Sequence, residues 1–316
     1  VVIAISIADA SEATVLPALL TFTASNWNSP QVVTVTPVDD FLADGSVAYT
    51  VVLANCVSVD TTGYNNLVVG NVTGTNTDDD TEGFTVTSLS GATTEAGAPA
   101  TFTVVLNSQP TSTVTITLGN LDTSEGSLSA VTLTFATASA TAPNAWNTPQ
   151  IVTVTGVDDS IDDGDIPYAL SLTAASADVI YNTLPVQNVT VTNTDNDSDG
   201  ITITETAGGT TVDESGTTDT YTIVLNAAPQ SGPVTVTVTP DSQVYVNGGG
   251  TTNITPIAIT LTFDPALSAP TANAWNQPRT VTVTAVQDVF NETNPHTSTI
   301  THGVANYGAV TAVPIT

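Results

Sequence analysis

Basic side chains are almost absent from this sequence. Lysine does not occur and Arg279 is the single arginine, against 30 aspartate and glutamate residues and a formal net charge of −29. Proteins bind nucleic acids and anionic lipid surfaces largely through lysine and arginine, so this composition disfavours both as partners. Cations are the partners that such a charge favours.

Cysteine and methionine are equally scarce. Cys56 is the only cysteine, so no disulfide can form within the chain, and methionine does not occur. Cys56 lies in the apolar stretch 51–59, where we expect a small buried hydrophobic side chain rather than a nucleophile. The folded units must therefore be stable without covalent cross-links.

Long apolar runs are missing as well. No stretch approaches the roughly 20 apolar residues of a membrane-spanning helix, and no signal segment opens the chain, so we expect no direct membrane insertion. Because Val1 stands in the middle of a strand-like run, we expect a processed product or part of a longer polypeptide. The 316 residues, with 41% hydrophobic content, are still enough for two or three domains with proper cores.

One phrase of the sequence occurs three times. It is an asparagine-rich turn that contains a tryptophan and a proline, and it surrounds Trp27, Trp146 and Trp275. Each copy continues into alternating valine and threonine, which is the pattern of a strand with valine on one face. The repetition predicts tandem units of one fold.

Two further segments lie upstream of this phrase, but only in the second and third copies. Residues 83–87 match 200–204, and residues 101–107 match 220–226. We therefore expect the first unit to lack its two opening strands. The predicted units are residues 1–80, 81–198 and 199–316.

The pattern within each unit is that of short strands. Valine and threonine alternate, glycine, proline, asparagine and aspartate separate the runs, and no helical apolar period is sustained. About seven strands per unit predict an all-β fold of tandem immunoglobulin-like antiparallel β-sandwiches, arranged as a rod. We expect the tryptophans to plug the ends of the sandwiches, and glycan stacking is the alternative.

The acidic loops of the second unit are predicted to converge at one end of its sandwich. Antiparallel strands alternate in direction, so the loops after the first, third, fifth and seventh strands share an end. These loops carry Glu95, Asp122, Asp158, Asp159, Asp195 and Asp197. Carboxylates about 4 Å apart repel by on the order of 4 kcal/mol per pair at an effective dielectric of about 20, and a multivalent cation removes this repulsion. Ligand sets made only of oxygen suit calcium better than magnesium or zinc.

The other two units carry related acids. Those of the first unit are Asp9, Asp39, Asp40, Asp78, Asp79 and Asp80. Those of the third unit are Glu214, Asp241 and Asp288. Gln287 replaces the first of the paired aspartates in the third unit, so we expect its site to be weak or empty. The acids are richest at the two junctions between units, where calcium would stiffen a linker; the alternative is that they are solvated turn residues.

These positions resemble Calx-beta repeats, the sandwich modules of sodium/calcium exchangers that also occur in large bacterial surface proteins. The resemblance rests on the first-loop glutamate, the aspartate after the third strand, the Val-Asp-Asp end of the fifth strand and the terminal acidic run. In that family these positions ligate calcium at one tip of the domain. The tryptophan phrase and the Asp-Gly pairs at Asp44 and Asp163 are closer to the bacterial surface-protein type, which implies an extracellular setting.

The leading functional interpretation is an extracellular structural or adhesive protein, such as a calcium-rigidified stalk or a surface filament subunit. Its expected partners are calcium ions and either further repeats or further copies of the chain. No enzyme is predicted, because His296 and His302 have no third metal ligand at a recognisable spacing and lysine is absent. A carbohydrate-binding module that uses the three tryptophans is the alternative.

The incomplete first unit suggests a mode of assembly. If Val1 is a true mature terminus, the unit exposes an open groove that a strand from a neighbouring subunit can complete, joining subunits head to tail. The alternative is that the sequence is a segment of a longer chain.

Overall fold

The computed structural model describes residues 1–137, 143–247, 256–267, 269–289, 297–307 and 313–315. Regular structure in these residues is almost entirely β-strand, which confirms the all-β prediction. The strands pair into three separate sets of sheets, which we call units 1, 2 and 3. No described helix has the length and apolarity needed to cross a bilayer.

Unit 1 consists of six strands. They are β1 (Val2–Ile7), β2 (Ala13–Leu16), β3 (Leu19–Thr21), β4 (Thr34–Pro37), β5 (Val47–Leu53) and β6 (Val72–Asn76). One sheet has the order β3-β1-β5-β6, and β2 and β4 form a second sheet of two strands. All of these pairs are antiparallel.

Unit 2 is a complete sandwich. Its elements are β7 (Phe84–Val86), β8 (Thr93–Thr94), β9 (Pro99–Leu106), β10 (Val114–Gly119), β11 (Gly126–Leu128), β12 (Thr132–Phe135), β13 (Gln150–Gly156), β14 (Ile166–Ser176), α1 (Val179–Asn182) and β15 (Gln187–Thr194). The sheets have the orders β12-β10-β14-β15-β8 and β11-β13-β9-β7. Neighbouring strands are antiparallel except β8, which runs parallel to the end of β15.

Unit 3 repeats this arrangement. Its strands are β16 (Ile201–Glu205), β17 (Thr218–Leu225), β18 (Val234–Pro240), β19 (Val244–Val246), β20 (Ile259–Phe263), β21 (Arg279–Ala285), β22 (Ile300–Ala305) and β23 (Val313–Ile315). The sheets have the orders β16-β17-β21-β19 and β20-β18-β22-β23. A short 3-10 helix, Thr206–Gly208, follows the first strand of unit 3, at the place where unit 2 has β8.

The side chains between the two sheets form the core of each complete unit. On β9 the side chains of Phe102, Val104 and Leu106 are buried, and the residues between them are only partly covered. Phe102 lies opposite Val152 of the neighbouring strand β13. This period of two is what the alternation of valine and threonine predicts, because successive strand residues face opposite sides of a sheet.

Each of the seven strands predicted for unit 2 is present, and three short elements were not predicted. Strands β8 and β11 have two and three residues, too few for a periodic pattern. Helix α1 has four residues and is capped by Asp178, whose carboxylate accepts a hydrogen bond from the Ile180 amide. Its residue Tyr181 is buried and donates to the Ser108 carbonyl at 2.6 Å.

Consecutive units contact each other through one repeated hydrogen bond. The Gln109 amide of unit 2 donates to the Phe41 carbonyl of unit 1 at 2.6 Å, and the Ala228 amide of unit 3 donates to the Ser160 carbonyl of unit 2 at 2.6 Å. In each case the acceptor lies in the acidic loop after β4 or β13. This loop therefore contacts both its own unit and the next one.

Candidate metal centre

Three carboxylates meet at the end of unit 2 that precedes unit 3. Glu95, Asp195 and Asp197 each offer an oxygen, and these oxygens lie within 4.8 Å of one another; we call them the Glu95 cluster. Glu95 directly follows β8, and its amide donates to the Thr194 carbonyl at the end of β15. The pairing of β8 with β15 thus brings the first loop of the unit beside the linker that follows its last strand.

Glu95 is the most buried acid of this cluster. Its side chain is only 5% exposed. Burial raises the pKa of Glu95 to about 7. The negative charges of Asp195, Asp159 and Asp197 also raise this pKa, whereas a hydrogen bond from the Asn196 amide lowers it. Below neutral pH, Glu95 therefore carries a proton when no cation is present.

Asp195 is fixed by backbone amides. Its two carboxylate oxygens accept from the amides of Asp197 and Gly164, both at 2.7 Å. Burial acts to raise the pKa of Asp195, but these two bonds and a bond from the Glu95 side chain outweigh it, so the pKa is lowered. The ionised form of Asp195 is therefore favoured, in contrast to that of Glu95.

Asp197 supplies the oxygen that most clearly fits a cation. Its Oδ2 is buried and has no hydrogen-bond partner among the described residues. Burial raises the pKa of Asp197, and the nearby charges of Asp195, Asp158 and Asp159 add to this. A buried carboxylate oxygen without a donor is unfavourable unless a proton or a cation is bound to it.

The paired aspartates at the end of β13 lie beside this cluster. Asp158 accepts from the Asn196 side-chain amide at 3.0 Å, and Asp159 accepts from the Ile161 amide at 2.7 Å. Each bond uses one oxygen, Oδ1, of its carboxylate. The prediction that the loops with Glu95, Asp158 and the terminal acids share one end agrees with this geometry.

Unit 1 has a corresponding group at the junction with unit 2. Oxygens of Asp78, Asp79 and Asp80 lie within 4.8 Å of one another. Asp78 accepts from the amides of Gly45 and Asp80 at 2.7 and 2.9 Å, which repeats the contacts of Asp195. Asp39 and Asp40 line the same cleft of about 280 Å³. Burial raises the pKa of Asp80, and the charges of Asp78 and Asp79 strengthen the effect.

Asp9 and Asp122, two of the ligands predicted in units 1 and 2, belong to neither group. Asp122 accepts hydrogen bonds from the amide and the hydroxyl of Ser124. Both bonds lower the pKa of Asp122, and the bond from the hydroxyl has the larger effect. Asp9 makes the same two contacts with Ser11. Both are exposed turn residues in the described structure, as the alternative interpretation of the acids expects.

The glutamates that follow these two aspartates were missed by the sequence analysis. Glu12 and Glu125 are each 7% exposed. Glu125 lies 3.4 Å from the Asn193 side-chain amide, and Glu12 lies 3.4 Å from that of Asn76. The repeated spacing Asp-x-Ser-Glu is the signal that could have identified them.

In unit 3 the predicted ligands form no such group among the described residues. Glu214 is exposed, and its backbone carbonyl accepts from the Gln287 side chain at 2.6 Å. Asp241 accepts from Ser298 and from the Thr299 amide, each at 2.6 Å. Asp288 is exposed. None of these three belongs to a metal-like group among the described residues.

The junction between units 2 and 3 contains two further acids, Asp162 and Asp199, and Asp199 continues the Asp-x-Asp spacing of Asp195 and Asp197. The Asp199 amide donates to the Asp162 carboxylate at 2.7 Å. Burial raises the pKa of Asp199, and the charge of Asp162 adds to this. Asp162 adjoins the Asp-Gly pair of Asp163, which was noted in the sequence only for its resemblance.

The three tryptophans differ in exposure. Trp146 is 6% exposed and its ring centroid lies 5.8 Å from that of Phe41, whereas Trp275 is half-buried. The prediction of a packing plug is therefore wrong for Trp27, which is 68% exposed. Unit 1 has no strand corresponding to β9 among the described residues. Burial of Trp146 also removes it as a glycan platform.

The histidines provide no metal site in the described part of the chain. His302 is fully buried, and its Nε2 lies 2.9 Å from the Tyr221 hydroxyl. The prediction for His296 falls outside the described residues. Cys56 is buried and free, as expected.

Comparisons with known proteins add little beyond the fold. The sequence matches no family model and no curated protein. The calcium binding domain CBD12 of CALX1.1 is 13% identical, with a TM-score of 0.29 over 70% of this chain and 80% of that chain. CBD12 from CALX1.2 is 12% identical, with a TM-score of 0.27 over 70% and 79%. A protein of unknown function from Porphyromonas gingivalis W83 is 12% identical, with a TM-score of 0.25 over 71% and 93%. At these values the likeness is one of β-sandwich architecture only.

Proposed function

We propose that this chain is part of an extracellular structural or adhesive repeat protein of the Calx-beta type, in which calcium ions at the unit junctions hold the linkers rigid. The proposed units are residues 1–80, 81–198 and 199–316, arranged as a rod. The role is non-catalytic. The observation that carries the proposal is the Glu95 cluster, with its buried and unpartnered Asp197 oxygen.

The position of the cluster explains how a cation would act. Glu95 and Asp159 belong to loops of unit 2, whereas Asp195 and Asp197 lie in the linker between β15 and β16. A cation bound by both groups would tie the linker to the unit before it. In unit 1, Asp78, Asp79 and Asp80 all lie in the linker between β6 and β7, and Asp39 and Asp40 of the loop after β4 line the same cleft. Ligation at each junction would therefore restrict the motion of one unit relative to the next.

The donor set favours calcium among the common cations. The ligands are carboxylate oxygens, without the nitrogen or sulfur that zinc prefers. Calcium accepts six to eight oxygens in flexible geometry, which suits irregular loops better than the strict octahedron of magnesium. The carboxylate oxygens of each cluster lie within 4.8 Å of one another, so each fully ionised pair repels by about 3 kcal/mol at an effective dielectric of about 20. A divalent ion would also cancel this repulsion.

The test compares thermal unfolding in calcium and in excess chelator. We expect calcium to raise the Tm of the chain and to make the particle longer and less flexible in small-angle scattering. Asp197→Ala should remove most of the calcium-dependent rise in Tm that comes from unit 2. A chain whose Tm and scattering are the same in both conditions would show that the acids are only solvated turn residues.

The chain contains a matched control for this experiment. Glu95 and Glu214 are the first-loop glutamates of units 2 and 3, but Glu95 is in a cluster and Glu214 is exposed. Glu95→Gln should reduce the calcium-dependent rise in Tm, and Glu214→Gln should leave it unchanged. Equal effects of the two substitutions would contradict the assignment of the site.

A further inference from the structure

The two junctions between units differ in the residue whose carbonyl accepts the repeated hydrogen bond. Alignment of the paired aspartates places Phe41 of unit 1 at the position of Ser160 of unit 2. The Gln109 amide donates to Phe41, and the Ala228 amide donates to Ser160. The junctions therefore share one backbone contact and differ in the side chain that accompanies it.

The side chain of Phe41 makes an apolar contact across the first junction. Its ring centroid lies 5.8 Å from that of Trp146, and the two rings are tilted by 47°. Trp146 is buried and belongs to the core cluster of unit 2. An aromatic pair of this kind is favourable beyond the area that it buries, and it needs no ion. Phe41 therefore attaches the loop of unit 1 to the core of unit 2.

Serine cannot make this contact at the second junction. Trp275, the counterpart of Trp146, packs against the core of unit 3 but is only half-buried. Besides the repeated backbone bond, the Gln230 side chain donates to the Asp162 carbonyl at 2.7 Å in an exposed position. Because exposed hydrogen bonds exchange with bonds to water, they add little to docking.

Like charges accompany these polar contacts. Asp162 lies in the loop of unit 2 and Asp199 in the linker before β16, and the Asp199 amide donates to the Asp162 carboxylate at 2.7 Å. The negative charges of the two side chains repel each other. The corresponding residues of the first junction are Ala43 and Glu82, so this pair of acids does not occur there. The second junction thus has repulsion where the first has an aromatic contact.

We propose that the two junctions are unequal: without a cation, the Phe41–Trp146 contact keeps units 1 and 2 docked, whereas the junction between units 2 and 3 opens and acts as a hinge. The chain then consists of one rigid pair of units and one movable unit. A cation at the Glu95 cluster, beside the hinge, would close it. This last step rests on the proposed function, and the difference between the junctions does not.

The test follows hydrogen exchange of two equivalent amides in the whole chain, in excess chelator. The Gln109 and Ala228 amides each donate across one junction, and each residue precedes a proline, which has no amide of its own. Mass spectrometry of overlapping peptides can therefore resolve them. After correction for intrinsic rates, the Gln109 amide should exchange about tenfold more slowly than the Ala228 amide. Equal protection, or stronger protection of Ala228, would overturn the proposal.

Two substitutions exchange the side chains of the junctions. Phe41→Ser should lower the protection of the Gln109 amide about tenfold and leave that of Ala228 unchanged. Ser160→Phe should raise the protection of Ala228, because the half-buried Trp275 stands where Trp146 does. Both substituted positions are exposed, so neither change is expected to unfold a unit. Unchanged protection of Gln109 in Phe41→Ser would also overturn the proposal, because the aromatic contact would then not hold the junction.

Calcium separates this proposal from the proposed function. With calcium, the protection of Ala228 should rise toward that of Gln109, and Asp197→Ala should abolish the rise. If calcium changes neither amide, the proposed function fails. The comparison in chelator involves no cation, so its result decides on the hinge in either case.

Discussion

Units 2 and 3 share one fold, and three of their differences concern a close strand contact, a buried pair of side chains and the acids at the end of the unit. Unit 2 has Gly156, the buried pair Phe102 and Leu172, and a carboxylate cluster at its end. At the same positions unit 3 has alanine, a tyrosine–histidine pair and acids that form no such cluster among the described residues. The sandwich therefore tolerates each change, because each difference affects only the packing or the charge close to it. Substitutions that convert one unit toward the other test this conclusion.

The largest effect is expected for Gly156→Ala. A Cβ at this position would overlap the Thr94 carbonyl and the Asn193 side chain, so the pairing of β8 with β15 must shift. We expect a loss of about 2–4 kcal/mol in the free energy of unfolding of unit 2. Chemical denaturation measures it. The reverse change in unit 3, Ala285→Gly, should alter stability by less than about 1 kcal/mol, and a large loss there would break the comparison.

The second prediction concerns the buried polar pair of unit 3. The Tyr221 hydroxyl and His302 Nε2 are 2.9 Å apart in a fully buried setting, where unit 2 has Phe102 and Leu172. Tyr221→Phe removes this partner of the imidazole and should cost about 1–3 kcal/mol. The double variant Tyr221→Phe with His302→Leu reproduces the unit 2 pair and should recover most of the loss. A double variant no more stable than the single one would show that the two sites are not interchangeable.

The third prediction is a pH dependence that belongs to unit 2. Without calcium, Glu95 has a pKa of about 7 in the folded chain against an ordinary value of 4.5. The folded state then binds more protons between these values, so stability falls as the pH rises from about 4.5 through 7. We expect a loss of about 2 kcal/mol. Unfolding in chelator at several pH values measures it.

Glu95→Gln is the control for this dependence. Glutamine can make the hydrogen bonds of the protonated acid but does not titrate, so the difference between the two pH profiles isolates Glu95. The variant should be less sensitive to pH in chelator. Calcium should flatten the profile of the unsubstituted chain, because it replaces the proton. Identical profiles for the two chains would contradict the assignment of this pKa.

The sequence predicts the architecture better than it predicts individual ligands. The alternation on β9 and β13 and the repeated tryptophan phrase are enough for the strands and their order along the chain. Antiparallel alternation also brings Glu95 to the linker acids. This alternation cannot tell that Asp159 lies beside the cluster while Asp122 is a turn residue, because the hydrogen bonds between Asp122 and Ser124 depend on local turn geometry. Burial of Trp146 but not Trp27 depends on a strand and a neighbouring unit, which no local pattern encodes.

The smallest effect is expected for Gln287→Asp, which restores the paired aspartates in unit 3. The Gln287 side chain donates to the Glu214 carbonyl at 2.6 Å, and aspartate would lose this bond. In chelator we expect a loss of about 1 kcal/mol. In calcium, a partial recovery is expected only if the acids can gather, and the exposed position of Glu214 argues for little recovery. Isothermal titration with calcium measures any added site. A new site as strong as that of unit 2 would show that a single side chain, rather than the arrangement of the whole junction, separates the two units.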